Sequence, residues 1–540
     1  MPNSITERVM KILLIGPQSR KDDAERSFMA PALGVVRLAG FLVSNGHEAE
    51  AYDPNLSMLT GAKPLLTEKL TEKDWDFIGF SVLEETLIKD IENMYLARKL
   101  SPGATLVAGG IEAQFNYQTV LDKSPCEYVI LSEGEVALLQ LVNGEPIQNI
   151  PGIVFKSNSV PLSQELFNHA TSTIEWEKNA YEDYWNYYLS KYGDRATTEN
   201  IQEIHTVRLF SRNRCPIGCK FCSSTNQITW GAEAAVPVIS ATEDNLIETV
   251  KRIKTSHPRV KTIYLTDDDF CINRRSVIRF CEKVVAEDFG DLSFMCFARA
   301  SDLTDDMCAW MKKANFRRLN VGIESFSEKV LIEMNKRCDV AKNHEGLAML
   351  KHHGIKAFIN TIMTTPESAL DDVELTVDNA TIYAADPFFH VGVTLAVKPL
   401  KGTDYYEQFT DYLSVVEPIP GTKHHIKRDD LILANDPQVK EFQLRYWHTI
   451  DGVISAETAK HKVKHQVASN LSLFKLHYMK YLIKEIRSQN KDSRQNYGAT
   501  VASAADMPFQ ERQTVDIPEV GGAIEHKSSA DGKKSIHGSF

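Results

Sequence analysis

The sequence predicts an α/β protein: a doubly wound N-terminal domain, then a partial (β/α)6 barrel, then a C-terminal helical region. Three observations predict this. Apolar strand-like runs ending in small or polar residues alternate with helical spacing through residues 1–150, six more strand–helix pairs begin at His205, and past Asp404 the apolar spacing turns largely helical. At 540 residues the chain is also too long for a single core.

Within the first region, KILLIG (Lys11–Gly16) is a buried-strand run. LGVVRLAGFLVSNG (Leu33–Gly46) then repeats apolar residues at helical spacing and stops at Asn-Gly. EAEAYD, DFIGFSV (Asp76–Val82), ATLVAGG (Ala104–Gly110) and YVILSEGE (Tyr128–Glu135) supply further strands. A parallel doubly wound sheet follows, with ligands expected at the carboxyl ends of its strands. PGIVFKSNSVPL reads as a hairpin and linker. WEKNAYEDYWNYYLSKYG (Trp176–Gly193) reads as an aromatic helix that packs at a domain interface in preference to lining a substrate cavity.

The barrel strands are HTVRLF, KTIYLT, LSFMCFA, RRLNVGI, IKAFINTIM and FFHVGVTLAV, and their carboxyl ends should gather the site. These breaks divide the chain into a domain over 1–150, a linker with the aromatic helix over 151–204, a barrel over 205–403 and a helical cap over 404–489. A polar, aromatic-poor tail over 490–540 is expected to be disordered.

The net charge of −11 argues against a nucleic-acid footprint, and no apolar run is long enough for a membrane helix. The start shows no signal-peptide pattern, so the cytoplasm is the expected compartment. Nine cysteines, mostly scattered singly, make a poor disulfide framework. Most should behave as small apolar residues. His352 and His353, at a helix end before Gly354, are explained by capping and the helix dipole.

Three cysteines are not scattered. SRNRCPIGCKFCSST (Ser211–Thr225) gives C-x3-C-x2-C directly after a strand, from Cys215, Cys219 and Cys222. Thiolates at this spacing can converge on three irons of a cubane and leave the fourth open, as catalysis requires. A structural zinc site would need a fourth ligand, and neither a second CxxC nor a nearby Cys-His pair supplies one. Pro216 and Gly218 suit a tight loop. Asp267, Asp268 and Glu324 are carboxylates at strand ends, able to accept from an ammonium or from hydroxyls, whereas Asp269 reads as a cap.

Beyond the cysteines, Phe221, TDDDF (Thr266–Phe270), ARAS (Ala298–Ser301) and LNVGIES (Leu319–Ser325) resemble the radical S-adenosylmethionine (SAM) superfamily, in its cobalamin-binding class B branch. The resemblance implies a [4Fe-4S] cluster on the three cysteines that cleaves S-adenosyl-L-methionine. It places Phe221 near the adenine, Asp267 and Asp268 where the SAM amino group is contacted, Arg299 at the third strand's end, and Glu324 with Ser325 at the ribose or amino acid of SAM. One departure stands out: many relatives have G-x-P-G-E-T after the fifth strand, where this chain has MTTPES (Met363–Ser368).

The strings APALGVVRLAGFLVSNGHEAEAYD, FIGFSVLEET, LVAGGIEAQF and VILSEGEVALLQL resemble the Rossmann-like cobalamin-binding domain of that branch. The implied cobalamin contacts are Ser81, Thr86, Gly109, Gly110, Glu133 and Gly134. No D-x-H-x-x-G motif occurs, which implies cobalt without a histidine lower ligand and leaves His47 an ordinary residue. The expected activity is methylation of an unactivated carbon of a small-molecule substrate, fed by an electron donor such as flavodoxin or ferredoxin. A radical oxidative cyclisation is the alternative within the class, and a non-catalytic cobalamin or SAM sensor the alternative outside it.

Overall fold

The computed structural model describes residues 8–21, 24, 29–155, 158–160, 174–193, 198–223, 237–460 and 464–493. The tail expected to be disordered lies outside the described residues from position 494 onward.

Seven strands make the first sheet: β1 (Lys11–Ile15), β2 (Glu48–Tyr52), β3 (Phe77–Ser81), β4 (Thr105–Gly109), β5 (Tyr128–Ile130), β6 (Ile153–Phe155) and β7 (Asn158–Ser159). Their order is β2-β1-β3-β4-β5-β6-β7; the first five pair in parallel, and the β6–β7 hairpin adds antiparallel. β1 is apolar without alternation because helices cover both faces of a parallel sheet, and Ile12 to Ile15 are buried. The helix Leu33–Ser44 returns the chain to β2 and ends at Asn45, followed by Gly46 at φ +89°. The chain therefore leaves β1 toward one side and reaches β3 on the other. That reversal opens a crevice at the carboxyl ends of β1 and β3.

The second sheet holds β8 (Thr206–Leu209), β9 (Thr262–Leu265), β10 (Ser293–Ala298), β11 (Phe316–Glu324), β12 (Lys356–Thr364) and β13 (Phe389–Ala396), all parallel and neighbouring in chain order. Alternate residues, among them Val207, Leu209, Ile263, Leu265, Phe294, Cys296, Val321 and Ile359, are buried in one core with the flanking helices. Each fully buried aliphatic side chain there contributes about 1.5–3 kcal/mol. Cys271, Cys281, Cys296 and Cys308 belong to this core as small apolar residues.

The aromatic helix spans Tyr181–Tyr192 and buries Tyr181, Tyr184, Trp185 and Tyr188. Its hydroxyls tie it to the N-terminal region: Tyr184 donates to Asp53 at 2.7 Å and Tyr188 to the Ala24 carbonyl at 2.9 Å. On the other side Trp185 meets the His205 and His257 rings edge-on, at 5.0 and 6.0 Å between centroids. It is an interface helix, as its composition suggested.

The region past Asp404 differs from the helical expectation. Only Asp404–Gln408 is helical before a hairpin of β14 (Tyr412–Pro418) and β15 (His425–Ile432) intervenes. The β-branched run Val415-Val416 and the Gly421 turn at φ +72° favour extended strands, and Ile419 and Ile426 bury themselves in the core of the first sheet. Helices Pro437–Lys460 and Lys464–Ser493 follow; the second packs on Leu370–Ala385 and β13. Among the described residues no helix is long and apolar enough to cross a membrane.

Candidate functional site

The cysteine loop leaves the carboxyl end of β8 and is tied down at both ends. Before it, the Ser211 amide and hydroxyl both donate to Asp267, at 2.8 and 3.0 Å, and the Arg212 guanidinium donates to the Asp269 carbonyl at 2.8 Å. Within it, Gly218 has φ +78° and its carbonyl accepts from the Asn335 amide group at 2.7 Å. Further on, the Lys220 amide donates to the Met334 carbonyl at 3.0 Å, and the Lys220 carbonyl accepts from the Tyr405 amide at 3.2 Å. The loop is therefore fastened to the segment after β11 and to the short helix Asp404–Gln408 that leads into the hairpin. Burial pushes the Cys215 thiol up to about 12 and the Cys219 thiol up to about 11, so as free thiols both stay protonated, and a metal bound here would have to displace those protons. Soft thiol donors from one short loop fit an iron–sulfur cluster.

Beside this loop lie the charged groups at the ends of β10 and β11. Glu324 sits at φ +63°, an uncommon backbone for a non-glycine residue, and its carboxylate accepts from the Lys336 ammonium at 2.8 Å. Burial alone would lower the Lys336 pKa, but the Glu324 carboxylate and Cys219 raise it above the ordinary lysine value. Its ammonium is 5.9 Å from the Phe221 ring centroid. Arg299 donates to the Lys336 and Arg337 carbonyls at 2.9 and 2.7 Å, so the same segment carries both cations. Arg299 also pairs with Asp302 at 3.4 Å, so the cation facing Glu324 is Lys336. A buried carboxylate paired with a buried ammonium is complementary to a zwitterionic amino acid, as the methionyl part of SAM is. Sequence reading missed Lys336; no motif marks it, and only folding brings it beside Glu324.

Not every expected residue joins this group. Ser325 is turned toward Leu370–Ala385, with its hydroxyl 2.9 Å from that of Thr376 and accepting from the Ser327 amide at 3.0 Å. Both oxygens of Asp267 are taken by Ser211, and burial pushes its carboxyl up to about 6. Asp267 thus holds the cysteine loop, while Asp268 is exposed and faces a cavity. Asp269 accepts from the Cys271 amide at 3.2 Å, the cap expected of it. In MTTPES the hydroxyls are tied into the surroundings: Thr365 donates to Glu333 at 2.6 Å, and Thr364 accepts from Gln443 at 2.8 Å.

A cavity of about 410 Å³ lies between the carboxyl edges of the two sheets. From the first sheet come Ser81, Gly109, Gly110, Glu133 and Gly134, and from the second Arg212, Asn213, Thr266, Asp267 and Asp268. Thr86 is not among the lining residues; its buried hydroxyl is bonded to Asp90 at 2.6 Å. Gly110 is needed for a different reason than ligand approach. It has φ +93°, and an added Cβ would stand 2.8 Å from the Val82 carbonyl oxygen. Gly134 has ordinary clearance, so there the missing side chain leaves room in the cavity.

The Radical SAM superfamily model matches residues 210–380, and the B12 binding domain model matches residues 22–142. The chain is 24% identical over 364 residues to an anaerobic magnesium-protoporphyrin IX monomethyl ester cyclase of Cereibacter sphaeroides, covering 64% of this chain and 55% of that one. The corresponding cyclase of Rubrivivax gelatinosus is 25% identical, with 61% of its length covered, so the chain spans little more than half of either cyclase. An uncharacterized methyltransferase of Pyrococcus horikoshii is 22% identical over 477 residues, covering 86% of this chain and 90% of that one. Among solved structures, the cobalamin-dependent radical SAM enzyme OxsB superposes with TM-score 0.65 at 14% identity over 90% of this chain and 75% of that one. The radical SAM methyltransferase TsrM of Kitasatospora setae, with tryptophan and a SAM analogue bound, gives 0.61 at 14% identity over 89% and 99%. At such identity these structures speak for the fold.

Proposed function

Because the chain belongs to the radical SAM superfamily and carries a B12-binding domain ahead of its radical SAM domain, we propose that it methylates an unactivated carbon of a small-molecule substrate. The cofactors of this class are a [4Fe-4S] cluster, SAM and cobalamin. Bound together, they supply hydrogen abstraction from carbon and a transferable methyl group.

Each group has residues that suit it. Cys215, Cys219 and Cys222 would hold the cluster. Glu324 would accept from the SAM ammonium, while Lys336 and Arg299 meet its carboxylate and Phe221 packs against it. Ser81, Gly109, Glu133 and Gly134 would receive cobalamin across the crevice, with Asp268 on the opposite wall. Asp267, through Ser211, keeps the cysteine loop where the two edges face each other. The observation that carries this reading is the composite cavity: residues expected from two separate motif sets line a single space.

The test is metal and product analysis of anaerobically purified protein. About four irons with one cobalt per chain, and S-adenosylhomocysteine formed alongside 5′-deoxyadenosine, support methyl transfer. Oxidative cyclisation is the second reading, favoured by the two cyclase relatives. It predicts 5′-deoxyadenosine without S-adenosylhomocysteine. An acidic one-electron carrier of the flavodoxin or ferredoxin kind is the proposed reductant.

A further inference from the structure

At the floor of the cavity, on the first sheet's side, two carboxyl groups compete for one cation. Glu133 and Glu135 flank Gly134 at the start of the helix Glu135–Val142, and Arg37 reaches them from the helix Leu33–Ser44. The Arg37 guanidinium makes its close ion pair with Glu135. Its nearest approach to Glu133 is 3.9 Å, beyond hydrogen-bond distance. Glu133 is 9% exposed, and its Oε2 is buried without a hydrogen-bond partner among the described residues. The adjoining Ser132 sits at φ +61°, and its hydroxyl is likewise buried without a partner among those residues. Backbone strain and unsatisfied polar atoms therefore coincide at one wall of the cavity, where a ligand is the natural remaining partner.

The other charged groups around this space do not relieve Glu133. On the facing wall Asp267 is committed to Ser211, Asp268 is a further carboxylate, and Arg212 is bonded to the Asp269 carbonyl and the Ser240 hydroxyl. Asn213 is committed to the Pro237 carbonyl and the Ile239 amide. Burial, together with the Glu135 charge and against the pull of Arg37, pushes the Glu133 carboxyl up to about 7.

We propose that Glu133 enters the cobalamin complex in its protonated form and donates a hydrogen bond from its carboxyl to an acceptor on the corrin side chains, such as a propionamide carbonyl. Ligand binding at this site then carries a proton with it. The inference rests on the cobalamin reading above and adds a titrating partner to it. A carboxylate that had to stay ionised would instead meet those carbonyl acceptors with its own lone pairs. Glu135, by occupying Arg37, keeps Glu133 in the donating state.

The experiment is an anaerobic absorbance titration of the iron-loaded protein with cob(II)alamin at pH 6 and pH 8, for the wild type, Glu133→Gln and Glu135→Gln. The Kd of the wild type should rise about tenfold from pH 6 to pH 8, because a group titrating near 7 must be reprotonated to bind. A glutamine amide is a permanent donor, so Glu133→Gln should bind within about threefold of the wild type at pH 6 and lose the pH dependence. Titrations of cob(II)alamin itself are common to all three proteins and cancel in the ratios. In Glu135→Gln, Arg37 is released to Glu133, and affinity at pH 7 should fall. Thermal melts check that each variant is folded. Equal pH profiles for wild type and Glu133→Gln, or weak binding by Glu133→Gln at pH 6 with an unchanged melt, would overturn the proposal. No cob(II)alamin binding by any of the proteins at either pH would sink the cobalamin reading itself, and this inference with it.

Discussion

Substituting Lys336→Met removes the buried cation that pairs with Glu324 at the carboxyl end of β11. Lys336 is 6% and Glu324 8% exposed, and their charged atoms are 2.8 Å apart, so neither charge is relieved by water once the other is gone. Breaking a buried pair from one side costs about 3–5 kcal/mol, because the orphaned charge keeps its desolvation penalty. Glu324 is also held at φ +63°, so it has little freedom to turn outward. For a cooperative unit of barrel size this corresponds to a Tm lower by about 6–20 °C. Glu324→Gln should cost a comparable amount by stranding the ammonium. The double variant, which strands neither, should recover at least about 2 kcal/mol of the summed loss. Thermal melts of all four proteins, reconstituted to the same iron content, close the cycle. On the proposed reading, in which Glu324 and Lys336 meet the two charges of SAM, the double variant should be folded yet make 5′-deoxyadenosine at under about 1% of the wild-type rate. Additive losses, or single variants within about 0.5 kcal/mol of the wild type, would refute the claim that the two charges support each other.

Four other outcomes are expected. Alanine at Cys215, Cys219 or Cys222 should each drop iron per chain well below that of the wild type after anaerobic reconstitution, whereas alanine at the core residue Cys281 should leave it unchanged; equal iron in all variants would remove the loop from the cluster. In the wild type, Asp267 binds its proton more tightly folded, near pH 6, than unfolded, so between about pH 4 and 6 stability should fall by at most about 3 kcal/mol as pH rises and then level off. Asp267→Asn should flatten that slope in denaturant melts across the pH range and also loosen iron retention, because one Ser211 donor loses its acceptor. Gly402→Ala places a Cβ 2.1 Å from the Phe115 ring, on a backbone at φ +78°, and should destabilise the protein by about 1–3 kcal/mol while raising proteolysis of the β14–β15 hairpin.

The elements whose chemistry is local were legible in the sequence. KILLI, TIYL and the C-x3-C-x2-C loop declare themselves through apolarity or fixed spacing, and the alternation of strands with helices marks both sheets as mainly parallel, although their strand orders emerge only in the structure. What was not legible depends on contacts between distant positions. Lys336 looks like any lysine in EMNKRC until the turn after β11 buries it against Glu324 and the cysteine loop. Thr86 and Ser325 sit in the right strings but spend their hydroxyls on Asp90 and Thr376, which no spacing rule foretells. The hairpin past Asp404 was hidden because half of its residues are charged or exposed, and its apolar side faces another part of the chain instead of its neighbours in sequence.

That hairpin explains why the cavity can be composite. Two parallel sheets could each close their carboxyl edges with their own loops, and the site would then belong to one domain alone. Here Ile419 and Ile426 are buried in the core of the first sheet, while the strand-end residue Ile432 packs with Phe221 beside the cysteine loop. Its polar residues finish the connection: Arg428 lies 3.6 Å from Glu84, in the loop after β3, and 3.4 Å from the buried Asp430, and Lys398 pairs with the same Glu84. These charges are mostly withdrawn from solvent, so the hairpin holds one orientation instead of sliding, a specificity that apolar contact alone supplies poorly. A segment that enters one core, crosses the boundary and packs beside the other domain's cysteine loop fixes the distance between the two edges. Any chemistry shared between groups held at the two carboxyl edges depends on that distance, because misplacement of reacting groups by about 1 Å already costs on the order of a hundredfold in rate.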